Sequence, residues 1–317
     1  MDYESLILIF TAIIYEALPF IVLGVVLAGL LEEFVPQQAI TKIIPRNHVL
    51  AIALGGLLGI VFPMCECGII VVMKRLLRKG LPLSVCVCYM LSGPIINVVV
   101  ISSTYVAFTN NSIYGSALNV VLLRCGLGYL VAVVTAVVVE WQYRKHGTKL
   151  LHPSLTRGLR APDAADEDNG DQGKRSWMQR LNNITETALH DFVDIMCFLI
   201  IGAALAALGR AVLREANMET LLEQTPAVAI LLMMGFAILF CLCSEADAFV
   251  AANFSMAWPP ASKIAFLVLG PMLDLKLYLM YTRVFRTRLI LTIVTSVVVQ
   301  TFVYCLILHY VGKLITY

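Results

Sequence analysis

The chain has 317 residues, of which 60% are hydrophobic and 14% charged, and its net charge is +2. A soluble domain carries about a quarter charged residues, and so near-neutral a balance offers no electrostatic footprint for nucleic acid. Apolar runs longer than about 18 residues recur along nearly the whole chain without the alternation of a membrane β-strand, which points to an all-α polytopic membrane protein.

The N-terminus, Met1-Asp2-Tyr3-Glu4, has no basic segment or small-residue cleavage site, so the first apolar run is expected to remain as a span. Eight spans are predicted, at roughly 6–30, 48–73, 81–108, 115–140, 187–213, 225–254, 261–282 and 288–313. Between the fourth and fifth lies a polar segment containing "APDAADEDNGDQGKR". Its composition reads as a disordered cytoplasmic linker over 143–180, between a first transmembrane half at 1–142 and a second at 181–317. Nine cysteines, several inside predicted spans, read as buried thiols or metal ligands rather than as a disulfide framework.

Motifs recur in order in the two halves. "CECG", "GLPLS" and "LSGPIIN" in the first answer "CSEAD", "WPPAS" and "VLGPMLD" in the second. Pro82 matches Pro259, Gly93-Pro94 matches Gly270-Pro271, and Asn97 matches Asp274, so an internal duplication into two four-helix halves is expected. Its orientation stays open. Lys74, Arg75, Arg78, Lys79 and the linker put one face in the cytoplasm by the positive-inside rule. Span counting then gives parallel repeats, whereas the charges of Arg283, Arg286 and Arg288 favour inverted ones.

Each Gly-Pro pair lies inside an apolar run, where proline removes a backbone donor and breaks the helix. In a membrane such a break survives where it is buried or lines a cavity, and transporters place it at the substrate site. The bland alternative is a structural kink. Cys65, Glu66 and Cys67 carry the strongest chemical signal, because thiolates select soft ions and an intramembrane carboxylate carries charge or protons. Residues i and i+2 point about 200° apart on a helix, so both sulfurs can face one ion only if the backbone opens, for which Pro63 and Gly68 are suited. Otherwise both cysteines are small buried hydrophobes. In the second half Cys241, Cys243, Ser244, Glu245 and Asp247 form the corresponding patch, and both acids are candidates to pair with Lys263 or Lys276. Asp274 and Lys276 can also pair with each other. Glu16 is a further intramembrane acid, and Arg124 snorkels or pairs with an acid. No P-loop, HExxH or GxSxG pattern occurs, so an ATP-driven pump is not expected. A membrane enzyme with Cys65 or Cys243 as nucleophile is a rival reading that lacks a histidine base in the matching spans, so no enzyme is expected and no cofactor is implied.

The stretch "FPMCECGIIVVMKRLLRKGLPLSVCVCYMLSGPIIN", with "CSEADAFVAANFS" and "FLVLGPMLDLK", resembles the bacterial DUF318 permease family, also called UPF0718 or YraQ/YcgR-like, which includes the ArsP organoarsenical exporters. The resemblance implies an eight-span inner-membrane permease that moves a thiophilic metalloid or soft metal, trivalent organoarsenicals among them, and that works beside a small membrane partner protein. Residue by residue it points to Cys65, Glu66, Cys67, Gly93, Pro94 and Asn97, and to Cys243, Glu245, Asp247, Gly270, Pro271 and Asp274, with Cys65, Cys67 and Cys243 as metal ligands. A permease for another small solute, or a non-transporting membrane scaffold or sensor, are the competing readings.

Overall fold

The computed structural model describes residues 3–34, 45, 47–62, 64–110, 113–147, 226–254 and 258–315, with most positions of 182–204. The expected linker from residue 148 onward lies outside the described residues, as do Pro63, Asp191, Asp194 and the side chain of Glu16.

The regular secondary structure of the described residues is helical. In chain order the helices are α1 (Tyr3–Phe34), α2 (His48–Gly56), α3 (Leu58–Val61), α4 (Glu66–Arg78), α5 (Leu83–Ser92), α6 (Val98–Phe108) and α7 (Ala117–His146). After the helical residues of 182–204 come α8 (Pro226–Phe240), α9 (Ala246–Asn253), α10 (Pro260–Leu269), α11 (Leu275–Val284) and α12 (Thr287–Ile315). With 32, 30 and 29 residues, α1, α7 and α12 each extend about 45 Å at ~1.5 Å per residue, enough to cross a hydrocarbon layer of about 30 Å. None of the other labelled helices exceeds the 15 residues of α8, which is only about 23 Å.

The expected spans at 48–73, 81–108, 225–254 and 261–282 are therefore not continuous rods. The first is divided among three helices and each of the others between two. The physical cause lies in the backbone. Gly93 closes α5, and Pro94 has no N–H to continue the ladder. The amides of Ile95 and Ile96 turn back to the carbonyl of Ser92 at 3.0 and 2.8 Å. Asn97 then takes extended dihedrals and caps α6 by accepting from the Val99 amide at 3.0 Å. The second Gly-Pro follows the same course. Met272 and Leu273 turn back to Leu269 at 3.0 and 2.8 Å, and Asp274 caps α11 by accepting from Leu277 N–H at 2.6 Å. Both preceding helices, α5 and α10, have ten residues and a proline at the N-cap, Pro82 and Pro259.

Packing joins the halves reciprocally. Helix α4 packs on α11, α6 on α9, and the long helices α7 and α12 lie against each other, with α10 also on α7. The interior is continuous: α4, α5 and α10 are buried along almost their whole length. Close backbone contact depends on glycine at two crossings. A Cβ on Gly24 of α1 would lie 2.8 Å from Gly68 Cα of α4, and one on Gly59 of α3 would lie 2.6 Å from Gly93 Cα.

Candidate functional site

The unwound segments before α4 and α9 bring the two thiol motifs together. Cys65 is the N-cap of α4 in extended conformation, and Glu66 begins the helix. In the second half the chain unwinds over 241–243, with Cys241 at φ 49°. The amides of Ala246 and Asp247 restart the helix on the carbonyl of Cys243, each at 3.0 Å. Cys65, Glu66 and Cys243 then each offer a ligand atom within 4.8 Å of the other two, and all three residues are buried. Two soft sulfurs and one carboxylate oxygen form a donor set for a thiophilic ion. Cys67 is also buried but is not one of the three residues whose ligand atoms lie within 4.8 Å of one another, and the trio joins Cys65 to Cys243, one thiol from each half.

Charged side chains surround the trio. Lys276, at the start of α11, places its Nζ 2.8 Å from Glu66 Oε1 and 3.5 Å from Asp274 Oδ2. It also points at the carbonyls of Cys241 and Leu242, at 3.4 and 3.5 Å. Asp274, a partner expected for Lys276 from the sequence, is the longer contact, and the shorter one is to Glu66 of the other half, which the sequence did not suggest. Glu245 accepts from the Cys243 thiol through Oε2 at 2.7 Å. Glu66 Oε2, Glu245 Oε1 and Asp274 Oδ2 are buried without a hydrogen-bond partner among the described residues.

A second ion pair lies beside the first. Arg124 of α7 directs NH2 to both oxygens of Asp247 at 2.8 and 3.0 Å and to the Ser244 carbonyl at 2.9 Å. Its NH1 donates to Thr104 Oγ1 of α6 at 2.6 Å. Arg124 and Asp247 are fully buried, so Asp247 pairs with this arginine, whereas Lys263 donates to the Phe254 carbonyl at 2.9 Å. The Gly-Pro turns border the site without entering the trio. A Cβ on Gly270 would come within 3.6 Å of Asp247 Oδ2, and one on Gly93 would strike the Ile69 side chain of α4. Pro94, Asn97 and Pro271 shape these turns and contribute no side-chain donor to the trio.

Sequence reasoning gave Arg124 and Lys276 less weight than the acids they pair with, and it missed Thr104. The available signal was the cation itself: a full charge in an apolar run needs a buried partner. What a single sequence lacks is the partner's identity, since these pairs span 123 and 210 positions.

Residues 3–310 match the family model ArsP_1, described as a predicted permease. The chain is 37% identical over 291 residues, 92% of each protein, to the UPF0718 protein YcgR of Bacillus subtilis (strain 168). It is 31% identical over 299 residues, 94% of this chain and 93% of the relative, to a Streptococcus mutans serotype c (strain ATCC 700610 / UA159) protein named "Putative two-component membrane permease complex subunit". No solved structure matches.

Proposed function

On the premise that the chain belongs to the ArsP_1 family of predicted permeases, we propose that it is a secondary transporter for a thiophilic cargo, a soft metal cation or a trivalent metalloid species, exported across the cell membrane. The observation that carries this reading is the convergence of Cys65, Glu66 and Cys243 from opposite halves within 4.8 Å. A site shared between two units is one that relative motion of those units opens and closes, which is the requirement for alternating access. The reading takes the halves as a duplication related by a pseudo-two-fold axis. Two features support it: the matched Gly-Pro turns, and the packing of α4 on α11 and of α9 on α6, which are reciprocal pairs of equivalent elements. The proposal is transport rather than catalysis. Because one relative is named as a subunit of a two-component complex, a membrane partner is also proposed.

The test is a strain lacking the protein, challenged with a panel of metal and metalloid salts, with intracellular content measured. The proposal expects higher accumulation of at least one thiophilic species, reversed by the wild-type chain and not by Glu66→Gln. Unchanged accumulation of every species tested would overturn it and favour the scaffold or sensor reading.

A further inference from the structure

The two buried ion pairs differ in whether they can come apart. Arg124 is held by four contacts on three elements: both oxygens of Asp247, the Ser244 carbonyl and Thr104 Oγ1. No partner could leave without orphaning buried groups, which is strongly unfavourable in a water-excluded site. Lys276 is placed otherwise. Besides Glu66 Oε1 it has three further acceptors within 3.5 Å: Asp274 Oδ2, the Cys241 carbonyl and the Leu242 carbonyl. All three belong to its own half, and Asp274 Oδ2 has no hydrogen bond among the described residues. The ammonium can therefore let go of Glu66 and satisfy its three donors without leaving the second half.

Glu66 has no such reserve. Its Oε2 has no hydrogen-bond partner among the described residues, and Lys276 is the cation paired with Oε1. A buried carboxylate stripped of its cation is costly, so whatever displaces Lys276 from Glu66 must bring positive charge of its own. The two thiols needed to hold a soft cation stand beside that carboxylate.

We propose that Lys276 is a tethered stand-in for the cargo: its ammonium occupies the cation's place at Glu66 and withdraws to Asp274 and the 241–242 carbonyls when cargo binds. This rests on the thiophilic-transporter reading above and narrows it, because a site so built selects a cargo that is cationic when bound over a neutral one. Lys276 is then a specificity-determining and positioning residue. While it bridges Glu66 of α4 to α11 it also ties the two halves together, and cargo releases that tie. An emptied transporter with Lys276 back on Glu66 needs no unpaired buried charge.

The experiment uses the full-length protein in detergent, with cadmium(II) followed by thiolate-to-metal absorption and phenylarsine oxide, a neutral thiol-bridging ligand, measured alongside. Lys276→Met removes the competing ammonium, so cadmium should bind at least about tenfold more tightly while phenylarsine oxide affinity stays unchanged. Lys276→Arg, which keeps a cation, should not show the gain. Asp274→Asn preserves the helix cap but removes the charge to which the ammonium withdraws, so cadmium should bind about tenfold more weakly. It serves as the independent variant if Lys276→Met does not fold. Unchanged or weaker cadmium binding in Lys276→Met, an equal gain for the neutral ligand, or unchanged binding in Asp274→Asn would each overturn the inference. The underlying reading fails separately: cadmium binding by the wild type that is absent, or untouched by Cys65→Ser and Cys243→Ser, overturns both. Thiol-dependent binding with no effect of Lys276 overturns only the stand-in.

Discussion

At the scale of single residues, the two cations of the membrane interior have opposite tasks. Arg124 binds Asp247 as a static tie, and removing one member of such a pair leaves the other charge buried alone. Arg124→Met should lower stability by roughly 3–5 kcal/mol, seen as an earlier thermal transition of the detergent-solubilised protein. The double change Arg124→Met with Asp247→Leu should recover most of that loss, since two apolar side chains replace the pair. Glu66→Gln behaves differently. Lys276 keeps Asp274 and two carbonyls, so the variant should fold and insert normally yet lose transport, measured as cargo flux in proteoliposomes. The sequence identified Glu66 because a carboxylate in an apolar run is conspicuous. It could not pair Glu66 with a lysine 210 positions away, because nothing local encodes a contact made only by tertiary packing.

At the scale of elements, the breaks were the most legible part of the chain. Gly-Pro inside an apolar run dictates a stop, and Asn97 and Asp274 three residues beyond the prolines are the side chains that cap a restarting helix. Less legible was the length of the pieces. Hydropathy reads straight through the breaks between Val61 and Glu66 and between Phe240 and Ala246, so spans that look continuous are built from shorter helices. Tight backbone crossings make a prediction here. Gly24→Ala would put a Cβ 2.8 Å from Gly68 Cα, backbone against backbone, and must displace α1 from α4. Gly126→Ala in α7 meets nothing within 4 Å and removes a helix-interior glycine. The first should therefore lower thermal stability, and the second should leave it unchanged or raise it by up to about 1 kcal/mol.

At the scale of the whole molecule, the proposed function depends on one thiol from each half reaching a common point. A reagent that bridges two thiols should therefore join the halves through Cys65 and Cys243. With a protease site engineered within 160–175, the cleaved halves should stay together on a denaturing gel after bridging, and should separate in Cys65→Ser or Cys243→Ser but not in Cys67→Ser. The motif alone suggested the neighbouring thiols Cys65 and Cys67 as partners. Cys65 is an N-cap in extended conformation and comes within 4.8 Å of Cys243 of the other half, a contact that residue spacing does not carry. The most direct test of this arrangement is X-ray absorption on the protein loaded with one equivalent of cadmium(II). We expect two sulfur ligands together with oxygen in the wild type and in Cys67→Ser, and one sulfur in each of Cys65→Ser and Cys243→Ser. A metal with no sulfur ligand, or one that loses a sulfur in Cys67→Ser while keeping both in Cys243→Ser, would contradict the cross-half site.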